Sequence, residues 1–133
     1  MRVGIVGSRK YQDKRKVKDF IYELKKKFQD ELVIISGGCK DGADYLAKKY
    51  ALELDVQYQE YPPFHHPYNL YCVLPEELFA RAYKVSYFFV RNKQIARASD
   101  MVVGFIPEGI ISNGTNSTLK YAEKFKKKTI ILS

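Results

Sequence analysis

A chain of 133 residues, 46% apolar and 29% charged, can close one apolar core without disulfide or metal support and is too apolar to be disordered. Its 23 Lys and Arg against 15 Asp and Glu leave a net charge of +8, a field that draws polyanions without distinguishing nucleotide from nucleic acid. No apolar run approaches the roughly 18 residues of a membrane span. The opening "MRVGIVGSRK" reads as a strand and not as a signal peptide, and Cys39 and Cys72 are too few for a disulfide framework. A reduced cytoplasmic protein of one domain, spanning 1–133, is therefore expected.

Residues 2–6, "RVGIV", form a short apolar run halted at Gly7, the pattern of a buried strand. Val17, Phe20, Ile21, Leu24 and Phe28 then recur at helical spacing, with Asp13 placed to cap the start. "LVIIS" at 32–36 is a second β-branched run, stopped by Gly37 and Gly38. Ala43, Leu46, Ala47, Tyr50, Ala51 and Leu54 mark a second helix, and "VQYQEY" at 56–61 a third strand. An irregular insertion at about 62–78, rich in proline, histidine and tyrosine, breaks the rhythm. A long helix is expected over 76–99, a fourth strand over 101–106, a last helix over 116–127 and a closing strand in "TIILS". Strands alternating with helices pair in parallel through crossovers, which predicts an α/β, Rossmann-like three-layer sandwich around a mostly parallel five-stranded sheet.

In such sheets ligands bind beyond the carboxyl ends of the strands. Three small-residue turns are expected there: Gly7-Ser8-Arg9, Ser36-Gly37-Gly38 and the loop Ser112-Asn113-Gly114-Thr115-Asn116. Each leads towards a helix whose first amides are unpaired and carry positive partial charge, an arrangement that binds anions through the backbone. Ser8, Ser36, Ser112 and Thr115 add hydroxyls, and Arg9 adds a planar fork suited to phosphate. Taken singly, each turn reads equally well as a tight turn. Neither GxGxxG nor GxxxxGK[ST] is present, which disfavours a dinucleotide oxidoreductase or an NTPase.

"GSRKY", "SGGCKDGADYLAKKYA", "VRNKQIARASDMVVGF" and "SNGTNSTLKYAEKF" together resemble, in order, the motifs of the SLOG superfamily, and most of all its YspA-like branch. Relatives of that superfamily include the single-strand DNA-binding DprA proteins and the LOG phosphoribohydrolases. The resemblance implies a Rossmann-like fold binding a nucleotide or nucleotide-derived small molecule. The residues it brings to the pocket are Gly7, Ser8, Arg9, Ser36, Gly37, Gly38, Gly42, Asp44, Arg91, Asn92, Ser112, Gly114 and Thr115. It also departs from LOG enzymes: Thr118 stands where their catalytic glutamate would be, so LOG-type hydrolysis lacks its carboxylate and Asp44 is the one motif carboxylate left near the pocket. Capping the loop before "YLAKKYA" explains Asp44 equally well.

No cofactor is implied. His65, His66, Glu76 and Glu77 lack metal-ligand spacing, so no metal site is expected. Cys39, with no paired histidine evident, reads as a small loop residue. The 11 Tyr and 8 Phe admit a single-stranded nucleic-acid surface, although packing of the insertion against the sheet or a second subunit, as in a homo-oligomer, accounts for them too. The lysine runs at 25–27 and 124–128 read as solvated helix faces.

Overall fold

The computed structural model describes residues 1–133. Strand β1 (Arg2–Gly7) leads into helix α1 (Lys14–Phe28), β2 (Val33–Ser36), α2 (Gly42–Glu53) and β3 (Gln57–Glu60); after the insertion come α3 (Ser86–Ala98), β4 (Met101–Phe105), α4 (Asn113–Lys124) and β5 (Lys128–Leu132). The sheet order is β3-β2-β1-β4-β5, and every pair is parallel.

Alternation along each strand divides the core into two halves, as a sheet covered on both faces requires. Val3, Ile5, Ile34, Val103 and Phe105 face α1 and α2, meeting Val17, Ile21, Leu46 and Ala47. Val6, Val33, Ile35 and Val102 face α3 and α4, meeting Ile95, Ala96, Leu119 and Ala122. Asp13 caps α1 as expected, its carboxylate accepting the Lys16 N–H at 3.1 Å. No helix is long and apolar enough to cross a membrane.

Two elements differ from the sequence reading. The expected 76–99 helix begins only at Ser86, after a single 3₁₀ turn at Glu76–Leu78. Phe79 instead turns inward against Phe64 (ring centroids 5.8 Å apart), and Ala80 adopts a φ of 58°. Ala80 N–H donates to the His66 carbonyl and Arg81 N–H to the Phe64 carbonyl, at 2.8 and 3.0 Å, so the insertion is paired across itself where a helix was expected. The helix expected over 116–127 starts and ends three residues earlier. Asn113 and Gly114 are poor helix formers, but in a first turn their amides need no partner from a preceding turn.

The insertion also covers the exposed edge of β3. Glu60 N–H donates to the Tyr71 carbonyl at 2.9 Å and Val73 N–H to the Glu60 carbonyl at 3.2 Å.

Candidate functional site

Chain order reverses at the middle of this sheet. β1 continues through α1 to β2 on one side, whereas β3 crosses back through α3 to β4 on the other. The carboxyl ends of β1 and β4 therefore diverge into a crevice. There the structure holds a cavity of about 380 Å³, within the usual range for small-ligand sites. The opening between the strands is close-set: Ser8 N–H donates to the Phe105 carbonyl at 3.0 Å, and a Cβ on Gly7 would lie 2.3 Å from that same oxygen.

The cavity brings together Gly7, Ser8 and Arg9 from the β1 turn, Asp44 from α2, Arg91 and Asn92 from α3, and Ser112, Gly114 and Thr115 at the start of α4. Ser36, Gly37, Gly38 and Gly42 do not line it. Ser36 is fully buried and donates its hydroxyl to the Ile5 carbonyl at 2.8 Å. Gly37 is a spacer: its carbonyl accepts Arg91 Nη1 at 2.9 Å, and a Cβ there would lie 2.3 Å from Nη1 and 2.9 Å from Asp44 Oδ2. Gly38 packs on the buried Glu60 carboxylate, and Gly42 on the backbone of Ser8 and Arg9.

The N-terminus of α4 is open. Its first intrahelical bond runs from Asn116 N–H to the Ser112 carbonyl, at 3.0 Å. The amides of Asn113, Gly114 and Thr115 thus precede any helical acceptor. Ser112 does not cap them; its hydroxyl meets that of Thr115 at 2.6 Å. Thr118, also on the cavity wall, donates its hydroxyl to the Gly114 carbonyl at 3.1 Å.

Charge in the site is unbalanced. Arg9, Lys10 and Arg91 line the cavity with Asp44 as the only carboxylate. Arg91 is partly buried, and its Nε donates to Asn92 Oδ1 at 3.1 Å. Burial pushes the Arg91 pKa down, with Asp44 and Cys39 opposing that shift and Arg9 reinforcing it. Burial likewise pushes the Asp44 carboxyl up, opposed by Arg91, the Cys39 N–H and the Ser36 hydroxyl and reinforced by Glu60. None of the ion pairs within 4.0 Å involves Arg9, Arg91 or Asp44. His66 lies in the fields of Arg91 and Arg9, and burial first, then His65 and these arginines, keep its imidazole pKa low. No three His, Cys, Asp or Glu side chains converge as metal ligands would.

Several wall residues escaped the sequence reading of the site. Phe88, one helical turn before Arg91, and Ile110 and Ile111, on the loop between β4 and α4, form an apolar side to the cavity. The two isoleucines are exposed. A pair of β-branched apolar residues between the turn-forming "PEG" and "SNG" was the available signal.

Gly114 is under no structural demand to be glycine. A Cβ there meets nothing within 4 Å, and its φ is not positive, so the fold does not require glycine. Gly114→Ala should leave the melting temperature unchanged or slightly raised, since alanine in a helix is favoured by up to about 1 kcal/mol. Anion binding through that turn should weaken several-fold, checked by calorimetric titration with pyrophosphate. A lowered melting temperature with intact affinity would show the reverse assignment.

A family model describing the YspA, cpYpsA-related SLOG family matches residues 1–66, which carry the β1 turn, the Gly37-Gly38 turn and Asp44. Residues 1–66, just under half of the chain, carry the pattern of this SLOG family. A search of curated proteins by sequence finds no match. Among solved structures, this chain is similar to DNA processing protein A from Helicobacter pylori, described for its single-stranded DNA binding mode. The TM-score is 0.74 at 23% identity, over all of this chain and 65% of that one. It thus spans slightly less than two thirds of that protein. It is also similar to the molybdenum cofactor binding protein from Rippkaea orientalis, with a TM-score of 0.71 and 18% identity over 98% of this chain and 74% of that one. The molybdenum cofactor carrier protein from Chlamydomonas reinhardtii gives a TM-score of 0.62 at 19% identity, with the same coverage. At these identities the likeness is one of fold.

Proposed function

We propose that this chain binds a phosphate-bearing nucleotide or nucleotide-derived small molecule in the cavity between β1 and β4, acting as a sensor or carrier of that ligand. The observation that carries the reading is Arg91: a partly buried guanidinium with two hydrogen bonds to protein, no carboxylate within ion-pair distance, and a place on the cavity wall. A desolvated charge left without a close partner is costly, and a bound anion removes that cost. Arg9 and the free amides at the start of α4 face the same space. Phe88, Ile110 and Ile111 supply the apolar side on which a base would lie.

The experiment is a calorimetric titration of the full chain with nucleoside monophosphates and with inorganic pyrophosphate, alongside mass spectrometry of small molecules released from the purified protein. Arg9→Ala should weaken binding by about 1.5 kcal/mol, the scale of one charge-assisted hydrogen bond. Unchanged affinity in that variant would move the phosphate away from the β1 turn.

A second reading, binding of single-stranded nucleic acid, draws on Tyr83 and Phe89, exposed at 67% and 50% on and just before α3, and on the net charge. Stacking on such rings in a basic groove is sequence-tolerant and strongly salt-dependent, with a log–log slope near −0.7 per neutralised phosphate. A steep slope with oligonucleotides and none of the expected monophosphate binding would favour it.

A further inference from the structure

Two side chains on the cavity wall retain hydrogen-bonding groups that no protein atom satisfies. Asn92 is only 4% exposed, and its Oδ1 is held by the Nε–H of Arg91, which leaves Nδ2 as the free end of the amide. Nδ2 has no protein acceptor and is not sealed from solvent, and Asn92 lines the cavity. Asp44 is 8% exposed and receives one backbone N–H, from Cys39 to Oδ2 at 3.3 Å. An ionised carboxylate accepts about four donors. The neighbouring Ser36 hydroxyl favours the Asp44 charge, but its one hydrogen is directed to the Ile5 carbonyl at 2.8 Å, so carboxylate lone pairs remain open even with Ser36 beside them.

We infer that Asp44 and Asn92 together read the sugar hydroxyls of the ligand, so that the cavity selects ribonucleotides over their 2′-deoxy counterparts. This rests on the phosphate-binding reading above and narrows it. A hydroxyl is the group that serves both side chains: it donates its hydrogen to a carboxylate and accepts from an amide N–H through the same oxygen. Position supports a sugar over a base. Arg91 is bonded to Asn92 and faces Asp44 across Gly37, so both polar groups adjoin the residue assigned to phosphate. The base is left the apolar side made by Phe88, Ile110 and Ile111. Sites built to pair with a substrate hydroxyl reject the analogue lacking it, because their own polar groups then stay unpaired.

The test titrates the full chain with adenosine and uridine 5′-monophosphates, their 2′-deoxy counterparts and pyrophosphate. Both ribonucleotides should bind at least about tenfold more tightly than the deoxy forms. Asp44→Asn should bring that ratio close to one. Asn92→Ala removes the donor from the other side and should reduce the ratio too, which keeps the test open if one variant fails to fold. Equal affinities for ribo and deoxy ligands in the unmodified protein would overturn the inference while leaving the phosphate reading intact. A preference for adenine over uracil that persists without the 2′-hydroxyl would overturn it as well, by assigning the pair to a base edge. Absence of binding by every probe, pyrophosphate included, would instead sink the phosphate reading itself.

Discussion

Arg91→Met is expected to remove nearly all affinity for phosphate-bearing ligands while leaving a folded protein. Two charge-assisted hydrogen bonds from a guanidinium to phosphate contribute about 3 kcal/mol or more, so the dissociation constant should rise at least about a hundredfold. The fold should lose much less. Burial already disfavours the Arg91 charge, and methionine fills a similar apolar path. What the variant does leave behind is Asp44, buried and deprived of its largest favourable influence, with Glu60 still acting against its charge. The sign of the pH dependence follows. The Asp44 pKa lies above its unfolded value, so the folded state binds more protons between those two pH values and stability falls as pH rises through that window. Without Arg91 the window extends further upward. The melting-temperature deficit of Arg91→Met should thus be larger at pH 8 than at pH 5. Titration calorimetry and thermal melting at both values check the two parts. Wild-type affinity would show that α3 does not hold the phosphate, and an equal deficit at both pH values would mean that Asp44 does not feel the guanidinium.

The architecture was legible because β1, β2 and β4 carry short β-branched runs, β1 halted at Gly7, β2 at Ser36-Gly37 and β4 shortly before Pro107, and each helix but one keeps its apolar spacing. The exception is instructive. Phe79, Tyr83 and Tyr87 fall at intervals of four and imitate a helical face, yet Phe79 is drawn into a separate aromatic contact with Phe64 that periodicity does not encode. The turns at the strand ends were legible for the reason that glycine is scarce and consequential. Which glycines face a ligand was not, because a position that must lack a Cβ for a ligand looks identical to one that must lack it for a protein atom. Gly37 gives way to Arg91 and Asp44, Gly38 to Glu60, and Gly42 to the β1 turn, whereas Gly114 gives way to nothing in the protein. Glu60 itself carries no motif. Its importance comes from burial beside Lys48, Tyr58 and Asn69, which only the folded chain brings together.

Gly42→Ala should therefore behave oppositely to Gly114→Ala, although both positions carry glycine near the start of a helix. Gly42 has a φ of 71°, and a Cβ there would lie 2.2 Å from the Ser8 carbonyl oxygen and 2.5 Å from Arg9 Cα. These are backbone atoms, which cannot rotate aside as a side chain would. Left-handed backbone in alanine costs about 1–2 kcal/mol and forced overpacking about 1–3 kcal/mol more, so a loss of about 3 kcal/mol is expected. For a domain of this size that corresponds to a fall of roughly 10 °C in melting temperature. The Ser8 carbonyl is also the acceptor for Tyr11 and Ala43 N–H groups, each at 3.1 Å, so the displaced atoms are those that fix the turn presenting Arg9 to the cavity. Ligand affinity should drop with stability even though Gly42 itself does not line the cavity. Thermal melting with titration of the surviving folded protein separates the two effects. A variant that melted like the parent would mean the β1 turn is free to move away from α2. Weak binding in a variant of parental stability would place Gly42 against the ligand after all.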